Sequence, residues 1–179
     1  VEGRNEDYIS KYNPDGTKDW TRHLWSGEND SVIANALTTG TDGSIYIAGY
    51  TSGHLDGQTN SGGNDAFISK YNPDGTKDWT RLLGSSSSDI GKALTTGSDG
   101  SIYIVNGNSV NKFNPNGTKE WTILLNDTYA RALTTGSDGS IYLAGILDTI
   151  NGGGKPAFIS KYNPDGTRDW TRSFDCLLY

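Results

Sequence analysis

The sequence contains no methionine and one cysteine, Cys176. A lone cysteine excludes an internal disulfide, and its apolar neighbours favour an inert packed thiol over a nucleophile. Because position 1 is not Met, we expect the chain to begin inside a longer precursor. No apolar run approaches the roughly 18 residues of a transmembrane helix, and no basic amphipathic stretch is present. We therefore expect no membrane insertion.

Positive charge is also scarce, with 15 Lys and Arg against 21 Asp and Glu and a formal net charge of −6. Nucleic-acid-binding proteins usually present a basic patch to the phosphates. Here Lys and Arg recur singly among Asp residues, which is typical of a solvated surface of mixed sign. We expect no nucleic-acid partner. The 24 Gly, ten Tyr and five Trp indicate short strands and tight turns instead of long helices.

Two sequence elements recur along the chain. The first reads KYNPDGTKDWTR at residues 11–22 and again at 70–81; the copy at 161–172 differs only in Arg168, and the copy at 112–123 is looser. The second reads ALTTGxDGSIY and occurs at 36–46, 93–103 and 132–142. The Trp residues of the first element are 59, 42 and 49 residues apart. Periods of about 40–50 residues with strand-type composition are typical of β-propellers.

Turn residues divide each repeat into four strands. The GSDG segment at 97–100 predicts a hairpin between strands over 92–96 and 101–105. Pro73-Asp74-Gly75 predicts a turn between strands over 66–72 and 77–83. Apolar residues on both strand faces indicate sheets that are covered on both sides. We therefore predict an all-β fold, a β-propeller of four-stranded antiparallel blades, with a β-sandwich or an open solenoid as the alternative.

The strand count predicts a single repeat domain over residues 1–179 that holds about three and a half blades, an incomplete ring. A half-blade of third and fourth strands falls at about 8–24, and complete blades fall at about 33–83, 92–125 and 131–174. Exposed strand edges invite pairing with other chains. We therefore expect that the chain self-associates through open strand edges or is a fragment of a larger propeller.

The combined pattern of DGSIY, a Gly- and Asn-rich loop, FISKYN and DGTKDW resembles the SBBP family of bacterial β-propeller repeats over nearly the whole chain. It is more loosely similar to repeat arrays of large surface proteins of marine cyanobacteria. The resemblance implies a bacterial propeller, often extracellular, without established catalytic residues. The third copy departs from the pattern, because Asn106-Gly107-Asn108 replaces the long loop.

The DGTKDW segment also resembles the tryptophan-docking motif of quinoprotein and outer-membrane-assembly propellers. That resemblance implies that one Trp per repeat locks adjacent blades together. The four residues are Trp20, Trp79, Trp121 and Trp170.

The loops between second and third strands are the predicted binding surface. Residues 54–65 read HLDGQTNSGGND and residues 147–155 read LDTINGGGK. Loops on a rigid scaffold often carry binding residues, so we expect a glycan or protein partner here. Carboxylate and amide oxygens suit calcium, which stays an open alternative. The candidate ligand-binding residues are Trp25, which lies outside the repeat pattern, and His54, Asp56, Gln58, Asn60, Asp65, Asp148 and Asn151.

The repeated Asp residues precede Gly in predicted turns, which explains them without catalysis. Acid–base pairs need unlike environments that separate their pKa values, whereas repeats supply like environments. We therefore expect no catalytic residue, no enzyme activity and no cofactor. The sequence favours a non-enzymatic structural or interaction module of an extracellular or cell-surface bacterial protein, active in adhesion or surface assembly. The alternatives are a lectin with repeated sites and a fragment of a quinoprotein-like enzyme.

Overall fold

The computed structural model describes residues 7–27, 30–126, 128–148 and 155–174. Within these ranges every regular element is a β-strand, and fourteen strands form one two-stranded and three four-stranded sheets. The predicted β-propeller blades, three and a half in number, are confirmed. The described part of the chain has no helix long and apolar enough to cross a membrane. The chain divides into two compact units, Val1–Gly91 and Lys92–Tyr179, each of which is described by itself.

Unit 1 contains a half-blade and one complete blade. The half-blade pairs β1 (Tyr8–Tyr12) with β2 (Lys18–His23) in antiparallel register. The complete blade has the order β3-β4-β5-β6, and every neighbouring pair is antiparallel. Its strands are β3 (Val32–Thr39), β4 (Ile45–Thr51), β5 (Asp65–Tyr71) and β6 (Lys77–Leu83).

Unit 2 contains two blades, the first of which begins with β7 at the unit boundary. Their strand orders are β7-β8-β9-β10 and β11-β12-β13-β14. The first blade comprises β7 (Gly91–Thr96), β8 (Ile102–Asn106), β9 (Ser109–Phe113) and β10 (Lys119–Leu124). The second comprises β11 (Thr128–Thr135), β12 (Ile141–Leu147), β13 (Ala157–Tyr162) and β14 (Arg168–Phe174).

The turn between third and fourth strands has one geometry, which Asn72–Thr76 illustrates. The Gly75 N–H donates to the Asn72 carbonyl at 2.8 Å, and the Asn72 N–H donates to the Thr76 carbonyl at 2.8 Å. The Asp74 carboxylate accepts the Thr76 N–H at 2.9 Å and its hydroxyl at 2.7 Å. Gly75 has a φ of +81°, which favours glycine. Residues 13–17 and 163–167 form the same turn.

A β-bulge interrupts the fourth strand of each sheet at an acidic residue. In the half-blade, Lys11 lies opposite Trp20 and Tyr12 opposite Lys18, so Asp19 between them has no cross-strand partner. Asp19 forms an ion pair with Lys11 at 2.8 Å. Asp78, Glu120 and Asp169 repeat the arrangement with Lys70, Lys112 and Lys161. The opposite edge strands β3 and β11 are also bulged, at Asn35 and Arg131.

Each unit has one hydrophobic cluster in which side chains of two adjacent sheets meet. In unit 1 the half-blade contributes Ile9, Trp20 and Leu24, and the blade contributes Phe67 and Tyr71 among others. In unit 2 the corresponding residues are Val110, Trp121 and Leu125 from one blade and Phe158 and Tyr162 from the next. Burial of such side chains is the main stabilising contribution between blades.

Candidate functional site

Trp20 belongs to the contact between the half-blade and the complete blade of unit 1. Its indole N–H donates to the Pro73 carbonyl at 3.2 Å, and only 8% of the residue is exposed. The Gly75 Cα lies against the ring, since a Cβ built there would be 2.7 Å from the indole Cδ2. Lys11 donates to the same Pro73 carbonyl at 3.0 Å. The Trp of one sheet therefore holds the turn of the next.

Arg22 completes this contact. Its guanidinium lies 5.4 Å from the centre of the Trp20 ring and donates through Nε to the Gly75 carbonyl at 2.8 Å. The sequence treats this cation as a solvated surface charge, but the structure gives it an acceptor on the neighbouring sheet. We call the set Lys11, Trp20 and Arg22 a donor face, and the Asn72–Thr76 turn an acceptor turn.

The contact between the two blades of unit 2 uses a reduced version of the donor face. A Cβ on Gly166 would lie 3.5 Å from the Trp121 indole, so the same turn again meets the same ring. Ile123 occupies the position of Arg22, and its Cδ1 would be 3.4 Å from that Cβ. The guanidinium contact is thus replaced by an apolar one.

The remaining two docking candidates pack against Tyr side chains of their own blades. The ring centres of Trp79 and Tyr46 are 6.1 Å apart, and those of Trp170 and Tyr142 are 6.4 Å apart. An arginine two residues further on covers each indole, with Arg81 at 5.4 Å and Arg172 at 5.8 Å from the ring centre. The geometry of Trp, Arg and Tyr is therefore common to these blades.

The loop between β4 and β5 is held together by its own polar side chains. His54 accepts the Asn60 N–H through Nδ1 at 3.0 Å. Asn60 donates to the Thr51 and Gly63 carbonyls at 3.2 and 3.3 Å. Leu55 and Gln58 form a small backbone bridge, and Leu55 is buried. Much of the polar chemistry predicted for a ligand therefore supports the loop itself.

The two carboxylates of this loop have different environments. Asp56 has a φ of +48° and accepts hydrogen bonds from Lys77 at 2.7 Å and from the Thr80 hydroxyl at 2.5 Å. Asp65 is fully buried, and its Oδ2 accepts the Ser61 N–H at 2.8 Å. Its Oδ1 has no hydrogen-bond partner among the described residues. Asp65 is thus a buried loop anchor and not an exposed ligand contact.

The other sequence candidates are dispersed. Trp25 follows β2 and is 53% exposed, as its position outside the repeats suggests. Asp148 lies in unit 2 at the end of β12. Asn151 and Cys176 lie outside the described residues. Among the residues that the structure describes, no three His, Cys, Asp or Glu side chains come close enough to hold a metal ion.

Asp148 lines a cleft of about 540 Å³ between the two blades of unit 2. Its carboxylate accepts the Tyr129 hydroxyl at 3.2 Å and lies 3.4 Å from the Lys155 ammonium. That ammonium lies 5.6 Å from the centre of the Tyr129 ring, and Tyr129 is 40% exposed. Arg168 also lines the cleft. Tyr129 lines a smaller pocket of about 120 Å³ that shares Asp148 with the cleft. The two pockets together therefore offer an aromatic ring, both signs of charge and several hydrogen-bonding groups.

Sequence reasoning did not select Tyr129, Lys155 or Arg168. A signal was available for Tyr129, because it interrupts the repeat: Ile33 has the equivalent place in β3, as the matching strand registers show. Lys155 lies in the 147–155 loop predicted to bind, and Arg168 stands where the other copies have Lys18, Lys77 and Lys119. The structure adds that Lys155 pairs with Asp148 and that Arg168 lines the cleft.

The repeated aspartates are engaged in turns. Hydrogen bonds from the Thr76 hydroxyl and N–H hold the pKa of Asp74 below its usual range, and Thr17 and Thr167 do the same for Asp15 and Asp165. In the other hairpins, the N–H and hydroxyl of Ser44 and Ser140 lower the pKa of Asp42 and Asp138. Each carboxylate is stabilised in its charged form by the residue two positions later.

A match to a family model supports the propeller fold. The profile of a family described as a domain of unknown function (DUF5122) beta-propeller matches residues 40–80 and 136–171. These segments run from the first hairpin turn to the end of the Trp motif in two blades. A solved structure of a protein of unknown function from Bacteroides caccae is similar at 9% identity and a TM-score of 0.49, covering 90% of this chain and 73% of that one. No curated protein sequence matches the chain.

Proposed function

We propose that this chain is a non-enzymatic interaction module of an extracellular or cell-surface bacterial protein, with propeller repeats of the SBBP type. The DGSIY, FISKYN and DGTKDW elements support the SBBP assignment, because all three recur in register along the chain. In such a module the blades form a rigid scaffold. The scaffold presents a surface that binds a partner during adhesion or surface assembly.

One observation carries this proposal: repeated and unrepeated side chains have different uses. The repeated aspartates are engaged in turns, and Trp20 and Arg22 are engaged in the contact between sheets. Tyr129, Asp148 and Lys155 instead gather beside a cleft. Exceptional residues on a regular scaffold favour recognition at that place.

The experiment titrates fluorescently labelled protein onto washed bacterial envelopes, with protease-treated and periodate-oxidised envelopes in parallel. We expect saturable binding to untreated envelopes and weaker binding by Tyr129→Ala. Leu37→Ala is the control, since Leu37 is 63% exposed but lies in unit 1, away from the cleft. An absence of binding to every untreated envelope would refute the module, and antibody labelling of intact cells tests the surface location.

The cleft also favours carbohydrate binding as a second candidate function. The partly exposed Tyr129 ring, which lines the smaller pocket beside the cleft, can cover the apolar face of a sugar, while Asp148 and Arg168 can bond to its hydroxyls. A glycan array with calcium and chelator arms tests this function. We expect Tyr129→Ala to reduce the signal on the bound glycans and Leu37→Ala to leave it unchanged. Silence across the array in both arms would count against the lectin while leaving a protein partner to the envelope experiment.

A further inference from the structure

The β3–β6 and β11–β14 blades both repeat the donor residues of the half-blade, the former with Lys70, Trp79 and Arg81. We call the copy in the β11–β14 blade the second donor face. Lys161, Trp170 and Arg172 correspond in sequence to Lys11, Trp20 and Arg22. Arg172 covers its indole at 5.8 Å, as Arg22 does at 5.4 Å. Lys161 is paired with the bulge residue Asp169 at 3.3 Å, as Lys11 is with Asp19. The same three donors are therefore arranged in the same way.

This second donor face is open where the first is covered. Arg172 is exposed, whereas Arg22 is half-buried against Gly75. Phe174 is 57% exposed, while Leu24, its equivalent beside the first donor face, is 2% exposed. An aromatic side chain thus stands in solvent at a position that the chain elsewhere buries between sheets.

The half-blade carries an acceptor turn that is also open. Residues 13–17 have the hydrogen bonds of residues 72–76, and Gly16 has a φ of +83° against +81° for Gly75. Among the residues that the structure describes, nothing lies within 4 Å of the position that a Cβ on Gly16 would occupy. The carbonyls that would meet a donor face are therefore already arranged for the contact.

The aromatic residues next to the 13–17 turn are exposed, whereas the equivalent residues next to the 72–76 turn are buried. Tyr8 and Tyr12 are 64% and 60% exposed. Their equivalents Phe67 and Tyr71 belong to the buried cluster against Trp20. Two large apolar side chains that are core residues in one copy are hence solvent-facing in the other.

We propose that a second copy of this chain docks its 13–17 turn onto the Lys161–Trp170–Arg172 face, in a head-to-tail contact. The Pro14 carbonyl accepts hydrogen bonds from Lys161 and Trp170, and the Gly16 carbonyl accepts one from Arg172. Tyr8 and Tyr12 pack against Trp170 and Phe174. The contact between half-blade and blade in unit 1 supplies the template, with KYNPDGTKDWTR on both sides. Trp, Tyr and Arg are also the residue types that dominate interface energetics.

The two surfaces differ, so the association is heterologous and has a direction. A donor-dead variant, Arg172→Glu with Phe174→Ser, keeps its acceptor turn. A turn-dead variant, Tyr8→Lys with Tyr12→Lys, keeps its donor face. All four positions are exposed, which favours retention of the fold.

Sedimentation velocity over a range of protein concentrations measures the association. We expect the native chain to form species larger than the monomer as concentration rises, and each variant alone to stay monomeric. An equimolar mixture should form a one-to-one heterodimer, which also shows that both variants are folded. The single change Arg172→Ala should weaken association by about ten- to a hundredfold, corresponding to one lost charge-assisted hydrogen bond.

Leu37→Ser is the control, because Leu37 is 63% exposed on β3 and belongs to neither surface; its association should equal that of the native chain. A native chain that is monomeric at all concentrations would overturn the proposal. So would continued self-association of the turn-dead variant, which would indicate a symmetric contact between donor faces. The envelope and glycan experiments are independent of this result, because they concern the unit 2 cleft.

Discussion

At the scale of single residues, Gly16 and Gly75 show how one backbone conformation can serve two purposes. Both have a φ near +80°, which costs an L-residue about 1–2 kcal/mol. Gly75 additionally lies against the Trp20 indole, while the space beside Gly16 is open. Gly75 is therefore needed both for the turn and for the close approach of the Trp20 ring. Within a single chain, Gly16 is needed for the turn alone.

We predict that Gly75→Ala is more destabilising than Gly16→Ala. In both variants alanine is strained by the left-handed backbone conformation, which lowers the free energy of unfolding. Only the Gly75 variant also drives a methyl group into the Trp20 ring. Overpacking of this kind adds about 1–3 kcal/mol to the loss. Urea unfolding followed by tryptophan fluorescence measures both free energies. Equal losses would mean that the indole moves aside without cost.

At the scale of structural elements, the contact between neighbouring sheets differs between the two units at one equivalent position. Arg22 donates to the Gly75 carbonyl, whereas Ile123 at the same position makes an apolar contact near Gly166. Net contributions of hydrogen bonds to charged groups are about 1.5–3 kcal/mol. Because Arg22 is only half-buried, the lower part of this range applies to it.

We therefore predict that Arg22→Ile lowers the free energy of unfolding by about 1–2 kcal/mol. Arg172→Ile is the matched control, because Arg172 covers the same kind of indole but is exposed. Its effect should stay within about 0.5 kcal/mol. Chemical denaturation at low protein concentration, where self-association does not contribute, separates the two. A loss for Arg172→Ile as large as for Arg22→Ile would assign the effect to the cation–π contact instead.

The turns between strands give the protein a defined acid sensitivity. Hydrogen bonds from Thr76 hold the pKa of Asp74 below its usual value of about 3.9. A carboxylate with a lowered pKa in the folded state stabilises the protein above the pKa of the unfolded state. That stabilisation is lost as pH falls through the folded-state pKa. The same direction holds for Asp15, Asp42, Asp99, Asp138 and Asp165.

We predict that Asp74→Asn lowers the free energy of unfolding at pH 7. We also predict that the variant loses less stability than the native protein when the pH falls below 4. The chain contains a natural precedent in Asn116, whose side chain accepts the Thr118 N–H at 3.0 Å. The turn should therefore persist with a neutral acceptor. Urea midpoints from pH 7 to pH 2 measure the effect, and the curves of variant and native protein should converge at the acid end. If the urea midpoints of variant and native protein instead differed by a constant amount at every pH, the protonation of Asp74 would not be coupled to unfolding.

At the scale of the whole molecule, we expect the stability of each unit to depend on the contacts between its neighbouring sheets. Each compact unit has its own hydrophobic cluster. A substitution should therefore lower the stability most in the sheets that share the altered contact. Gly75→Ala acts on the cluster that contains Trp20.

We predict that native-state hydrogen exchange of Gly75→Ala shows reduced protection in β1, β2, β5 and β6. Protection in β12 and β13 of unit 2 should stay close to that of the native chain, because their cluster is unchanged. Amide exchange followed by mass spectrometry resolves these segments. A uniform decrease across all strands would show that the chain unfolds as one cooperative body.

The sequence predicted the features that depend on local chemistry. Pro-Asp-Gly and Ser-Asp-Gly placed the turns, and the β6 bounds agree residue for residue with the predicted 77–83 strand. It did not predict that Arg22 bonds to the next sheet, because that contact depends on how sheets stack. It also placed Asp65 among the candidate ligand-binding residues, whereas the structure buries its side chain against Gly84. The repeat pattern marks Tyr129 as an exception, and the predicted loop contains Asp148 and Lys155, but the sequence could not show that Tyr129 lies beside that loop.

The bulges described above bear on how such a repetitive chain avoids aggregation. Nearly identical strands present many interchangeable partners, and flat edges let them add to one another as cross-β fibrils. In the β3–β6 and β11–β14 blades both edge strands are interrupted, at Asn35 and Asp78 and at Arg131 and Asp169. A bulge twists an edge and breaks the regular row of backbone donors and acceptors. The same motif can thus be copied along a chain without its copies templating one another into amyloid.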